Sequence, residues 1–245
     1  MRLDPLPGVP EVRPGDELAA LLAAAGARLD PPLGPADVLV VAHKVVSKAE
    51  GRVRALAAIE PSARAVELAA EHGKDARHVQ AILDEAVEVL RADRGRLICR
   101  TPHGFVCANA GVDQSNTGAE ETLVLLPADP DASARALRSA LGAGAVVISD
   151  SWGRPWRQGQ VEVAIGSAGL RALADHRGRP DRDGRPMAAS VIAVADEVAA
   201  AADLVRTKTS GEPAVRVRGL ENCLVEEAGP GAAALIRAPE DDLFR

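Results

Sequence analysis

"RLICRTPHGFVCAN", residues 96–109, holds two strand-like runs, Arg96–Arg100 and Gly104–Asn109, with only Thr101, Pro102 and His103 between them. Strands that close in sequence pair antiparallel, because a parallel pair needs a crossover of a dozen or more residues. This hairpin breaks any βαβ rhythm and decides the class: α+β, with mixed or antiparallel sheets and packed helices, rather than a doubly wound sheet.

The surrounding sequence fills in that class. "PGDELAALLAAAG" reads as a helix with Asp16 at its start, Leu18, Leu21 and Leu22 on one face and a glycine stop. "ADVLVVAHKVV" is a nearly continuous apolar strand of the kind buried on both faces. Ser62 caps a helix through His72, and Asp75 caps another in which Val79, Ile82, Leu83, Ala86 and Leu90 recur at helical spacing. A further strand covers Thr122–Leu126, a helix opens near Pro130 or Asp131, and "AVVISD" follows as a buried strand. "QVEVAIGSAGL" alternates, "SVIAVADEVAAAADLV" passes from strand into helix, and "AVRVRGL" is the last strand. Residues 175–186, "DHRGRPDRDGRP", form either a mobile linker or an ordered loop over a site.

Composition narrows the function. Of 245 residues 47% are hydrophobic but only 2% aromatic, with no tyrosine, so the core must come from Val, Leu, Ile and Ala. The net charge of −6, with basic residues scattered rather than striped, argues against nucleic-acid and anionic-membrane partners. No run reaches the eighteen or so apolar residues of a membrane span. Cys99, Cys107 and Cys223 form no CxxC and no even set, as expected of small apolar residues in a reducing cytoplasm. A cytoplasmic location is therefore expected.

No P-loop motif occurs, and no strand leads into G-x-G-x-x-G, so phosphate binding needs another arrangement. Three clusters offer one. "HKVVSKAEGR" places His43, Lys44, Ser47 and Lys48 directly after the strand at Val38–Val41, where two lysines suit a polyphosphate or simply a solvated junction. "GFVCANAGVDQSN", residues 104–116, offers Asp113 with the amides of Asn109, Gln114 and Asn116. "VVISDSWGRPWRQGQ" runs a buried strand straight into Asp150 and Ser151, followed by Trp152, Arg154, Trp156 and Arg157. A lone acid after a strand is usually a turn or cap. Two of them beside hydroxyl and amide oxygens could share Mg²⁺ or Mn²⁺. Arg154 and Arg157 could hold a carboxylate or phosphate. The residues reach a metal-assisted phosphate or nucleotide enzyme, with the reaction left open.

"VVSKAEGR", "GFVCANAGVDQSN", "LPADPDASARALR", "ISDSWGRPWRQGQVEVAIGSAGL" and "AVADEVAAAADLV" together resemble the coenzyme F420-0:L-glutamate ligase (gamma-glutamyl ligase) family, in order from about Gly8 to Gly219. The resemblance implies a GTP-dependent enzyme adding L-glutamate to coenzyme F420-0 through an acyl phosphate, with further gamma-linked glutamate as an extension. It implies Mg²⁺ or Mn²⁺, two per site, and a family-specific fold in an intertwined homodimer. One ligase domain over residues 1–245 is expected, with two subdomains as a variant and no C-terminal nitroreductase-like domain.

By position, the resemblance makes Asp113 and Asp150 ligands of one metal, with Ser151 near a second. It assigns nucleotide contacts to Val9, Pro10, Glu11, Val12, His43, Lys44, Lys48, Asn116 and the loop Arg206, Thr207, Lys208, Thr209, Ser210, Gly211, Glu212 and Pro213. Lys48, Arg154 and Arg157 become the catalytic candidates. The chain departs from the family pattern at Thr207 and Lys208, where glycine followed by Gln or Glu is expected. A protonated lysine is no metal ligand, which points Lys208 toward a phosphate. Alternatives are a same-fold amide ligase acting on a modified or dehydro precursor, a non-catalytic nucleotide- or coenzyme-binding protein, and a plain metal phosphatase.

Overall fold

A computed structural model of the chain describes residues 1–114 and 121–243. In chain order its regular elements are β1 (Arg2–Pro5), α1 (Leu18–Gly26), β2 (Asp37–Ala42), α2 (His43–Ala49), β3 (Val53–Ala55), α3 (Ala63–His72), α4 (Ala76–Glu85), β4 (Glu88–Asp93), β5 (Arg96–Arg100), β6 (Val106–Ala108), β7 (Thr122–Val124), α5 (Pro130–Leu141), β8 (Ala145–Arg154), β9 (Arg157–Ala168), β10 (Ala174–Asp175), β11 (Val191–Ile192), α6 (Val194–Asp203) and β12 (Ala214–Arg218). Helices and several sheets are mixed, as the hairpin at residues 96–109 requires.

The main sheet has the order β1-β12-β2-β8-β9. Within it β2 and β8 pair parallel, while β12 and β9 flank them antiparallel. Alternation along the central strands explains why they read as unbroken apolar runs. Leu39, Val41, Val146 and Ile148 face a core shared with α1 and α5. Val38, Val40, Ala145 and Val147 face the opposite core, covered by α6. Each fully buried Val or Leu of this kind contributes roughly 1.5–3 kcal/mol. Helix α5 can lie close to β9 because residue 166 is glycine: a Cβ there would stand 2.3 Å from the Pro130 carbonyl oxygen.

A third core gathers α3, α4, the sheet β4-β5-β6 and the pair β3-β7 around Leu68, Val79, Ile82, Leu97 and Leu123. The opening hairpin is here: Cys99 lies opposite Cys107 and Arg100 opposite Val106. Phe105 at its turn packs back into the first core, and Trp152 of β8 meets it edge-on at 5.4 Å. That edge-on contact links the hairpin to the main sheet.

Several boundaries differ from the sequence reading. The strand expected to run on through His43 stops at Ala42, and α2 begins. Ser62 and Asp75 cap α3 and α4 through Ala65 N–H and Arg77 N–H. However, α4 ends at Glu85, so Leu90 belongs to β4 and not to a helix. The helical repeat of Ala86 and Leu90 is overridden by pairing with β5, across a turn in which Arg94 (φ 47°) and Gly95 (φ 75°) are both left-handed. Two such residues give the turn twist that tight hairpins favour. Asp16 does not cap α1; its carboxylate accepts from Arg13 N–H, while Glu17 precedes the helix. Asp129 caps α5, with Pro130 at its first position. Residues 175–186 form an ordered exposed turn, in which Asp181 N–H bonds Arg185 O and Met187 N–H bonds Arg179 O. No helix among the described residues is long and apolar enough to cross a membrane.

Candidate active site

The parallel pair β2 and β8 ends on one side of the sheet, with Ala42 beside Ser149. Crevices outside the carboxyl ends of parallel strands are the usual ligand sites of such sheets. Here β2 delivers α2, β8 delivers Ser149, Asp150 and Ser151, and antiparallel β9 brings Glu162 opposite Ser151. The loop before β12 returns to the same edge, tied by a bond from Ala42 N–H to Pro213 O. A cavity of about 290 Å³ lies between them, at the small end of ligand-binding pockets.

Asp150 is held through both of its oxygens. Its Oδ1 accepts from Ser151 N–H at 2.8 Å and its Oδ2 from the Trp152 indole N–H at 2.8 Å. His43 Nε2 approaches Oδ1 to 3.2 Å, without the alignment of a hydrogen bond. Burial alone would raise the carboxyl's pKa, yet attraction to His43 and the donors from Trp152 and Ser151 hold it below the ordinary aspartate value. Asp150 is therefore an anion at neutral pH.

Lys44, the next residue of α2, reaches Asp113 Oδ2 at 2.7 Å. The two acids singled out by sequence thus meet adjacent residues of one helix turn. Lys48, one turn further, is buried and bonded to Glu11 at 2.5 Å. A bond from Gly15 N–H to Ala49 O fixes the same N-terminal segment against α2. On the far wall Glu162 is buried: Arg206 donates to its Oε2 at 2.8 Å and to Ser149 Oγ at 3.0 Å. Ser151 Oγ donates to Glu162 Oε1 and accepts from Lys208 Nζ.

The cavity brings together Glu11, His43, Lys44, Lys48, Asp150, Ser151, Arg206, Thr207, Lys208, Thr209, Gly211, Glu212 and Pro213 among the residues named from sequence. Others fall elsewhere. Val12 is core and Val9 packs against it, so in "VPEV" it is Glu11 that faces the cavity, and Pro10 is not in the lining. Ser210 turns inward on its own loop, donating to Thr207 O. Asp113 stands behind Lys44, outside the lining. Arg154 and Arg157 face each other at the exposed tip of the β8–β9 hairpin, and Arg154 donates to Gln158 O. The turn formed by Pro155 and the left-handed Trp156 lies past the strand ends and carries them with it, so they line no part of the cavity. Asn116 lies outside the described residues. Sequence reasoning passed over Ser149 and Glu162. Glu162 sits in the alternating run "QVEVAIGSAGL", and an irregularity in the ladder between Gly153 and Arg154 offsets the pairing, so a count back from the tip sets Gln160 rather than Glu162 against Ser151.

Asp150 offers charged, hard carboxylate oxygens that suit a divalent ion of the Mg²⁺ or Mn²⁺ type, whereas Asp113 is paired with Lys44 outside the lining and would join it on release of that ion pair. At Ser151 the donor set fits poorly, because its hydroxyl is already held between Glu162 and Lys208. Among the described residues no three His, Cys, Asp or Glu side chains form a ready-made cluster.

Known proteins share this arrangement of sequence. Residues 8–219 match the family described as F420-0:Gamma-glutamyl ligase. The chain belongs to that family. It is accordingly a ligase-family enzyme, and its relatives cover it end to end. The "Coenzyme F420:L-glutamate ligase" of Methanopyrus kandleri is 46% identical over 252 residues, covering 100% of this chain and 98% of that protein. Proteins of the same name from Methanothermobacter thermautotrophicus and Haloarcula marismortui are 43% and 44% identical, each over 97% of this chain and over 96% and 93% of their own length. All the cavity residues named above fall within the matched span of the F420-0:gamma-glutamyl ligase family.

Proposed function

We propose that this enzyme joins L-glutamate to coenzyme F420-0 in a GTP-dependent reaction, through an acyl phosphate, with release of GDP and phosphate. The observation that carries the reading is the convergence of Lys44, Lys48, Lys208 and Arg206 with Asp150 in one cavity at the strand ends, in a chain whose relatives are named for this ligation. A carboxylate resists attack by an amine because its oxide is a poor leaving group. Transfer of the γ-phosphoryl group to it creates one that leaves as phosphate. The protein's task is then charge neutralisation and in-line positioning.

Each residue has a part in that task. Lys48 is held at the cavity by Glu11, an exposed acid that can yield its place to a phosphate oxygen. Lys44 and Lys208 present ammonium groups from opposite walls, where charge develops on the β- and γ-oxygens. Asp150 and Asp113 are the residues that would hold Mg²⁺ or Mn²⁺, which when bound neutralises phosphate oxygens and orients the nucleotide. His43, buried against Asp150, fixes the direction of that carboxylate. The cavity admits the phosphate end of a nucleotide, and the loop Arg206–Pro213 is its outer wall. In the homodimer that belongs to this reading, the hairpin tip bearing Arg154, Arg157 and the 83% exposed Trp156 is the segment offered to a second copy.

Phosphate release from GTP tests the assignment against a simple phosphatase. With Mn²⁺ present, release should require both F420-0 and glutamate, rising at least tenfold over GTP alone. Equal release without either acceptor would assign the protein to hydrolysis instead.

A further inference from the structure

The geometry points to Lys208 as a built-in cation: we propose that its ammonium occupies the Ser151–Glu162 position in place of a divalent ion, leaving Asp150 as the carboxylate that anchors a single metal. The inference rests on the metal–nucleotide reading of the cavity given above and makes it specific to this chain.

Ser151 and Glu162 lie opposite each other across the β8–β9 ladder. Every oxygen of this pair already has a partner. Glu162 Oε2 takes Arg206, and Glu162 Oε1 takes the Ser151 hydroxyl, with Lys208 Nζ at 3.6 Å. Ser151 Oγ in turn accepts from Lys208. A hard divalent ion at this point would need several oxygen ligands at roughly 2.0–2.2 Å, and it would find one hydroxyl and one shared carboxylate oxygen. It would also meet a guanidinium and an ammonium, each repelling a doubly charged ion twice as strongly as a single charge.

Lys208 suits the post for physical reasons. Its loop is anchored at both ends, by Arg206 on Glu162 and by Pro213 O on Ala42 N–H. Its side chain is 64% exposed, so the four-carbon stem enters from the solvent side while only the head meets the buried carboxylate. An ammonium has three donors. The Ser151 hydroxyl and Glu162 use two directions, and because Lys208 lines the cavity the third can meet a phosphate oxygen. The chain thereby carries its second positive charge covalently.

Counting bound Mn²⁺ tests this. Free Mn²⁺ is measured by its electron paramagnetic resonance signal while the purified full chain is titrated with Mn²⁺ alone, alongside Lys208→Glu and Lys208→Gln. We expect about one Mn²⁺ per chain for the unaltered protein and one more for Lys208→Glu, which removes the ammonium and adds carboxylate oxygens. Lys208→Gln should raise affinity at the added position at least tenfold over the unaltered chain, and it carries the test alone if Lys208→Glu does not fold by circular dichroism. Two ions on the unaltered chain would overturn the inference while leaving the metal–nucleotide reading intact, and so would variants that gain none. No Mn²⁺ on any of the three would overturn both.

Discussion

Asp150→Asn should lower kcat/KM for the ligation on the order of 10³-fold, the scale seen when one preorganised charge-stabilising group is removed from a water-excluded site. The substitution keeps the shape of the side chain. It removes the negative charge that faces His43 at 3.2 Å, and the new amide must either present its own N–H₂ to the Trp152 indole N–H or turn it toward Ser151. One donor then lacks an acceptor, at a cost of about 1–3 kcal/mol. The protein should therefore stay folded, with a lower melting temperature and an unchanged circular dichroism spectrum. Activity within threefold of the unaltered enzyme would remove Asp150 from the reacting centre.

Glu162→Ala should have the largest effect on stability. Glu162 and Arg206 are 5% and 7% exposed in their side chains and form the buried ion pair of the cavity wall. Truncating the acid strands a guanidinium away from water and takes the acceptor from Ser151 as well. Breaking such a pair from one side costs about 3–5 kcal/mol. Urea unfolding measures this, and the double variant Glu162→Ala/Arg206→Met should recover most of the loss because it removes the orphaned charge too. A loss under about 1 kcal/mol for the single variant, or no recovery in the double, would mean that the pair is solvated and does not hold the wall.

Much of this was legible in sequence where local chemistry and tertiary structure agree. Ser62 and Asp75 cap their helices because a short side-chain oxygen before a helix has only nearby backbone N–H groups to meet. The unbroken apolar run at Val38–Val41 marks a strand covered on both faces, and it is one. What failed was set by partners distant in the chain. Leu90 continues a helical repeat but is claimed by β5. His43 continues an apolar run, yet the chain turns helical there and the ring packs on Asp150, more than a hundred residues away. The segments carrying Lys44 and Asp150 could be proposed as one site from residue type alone. The separation of Arg154 and Arg157 from that site could not, because it depends on how far the β8–β9 hairpin projects beyond the sheet. Glu162 shows the same dependence: it alternates like a surface residue, and what buries it is Arg206, distant in the chain, which closes over its carboxylate.

The enzyme incubated with F420-0, L-glutamate, GTP and Mn²⁺ should yield, by mass spectrometry, coenzyme carrying one or more added glutamyl units, and none when GTP is omitted. Recovery of F420-0 without any glutamyl addition, from protein shown to be folded, would contradict the account.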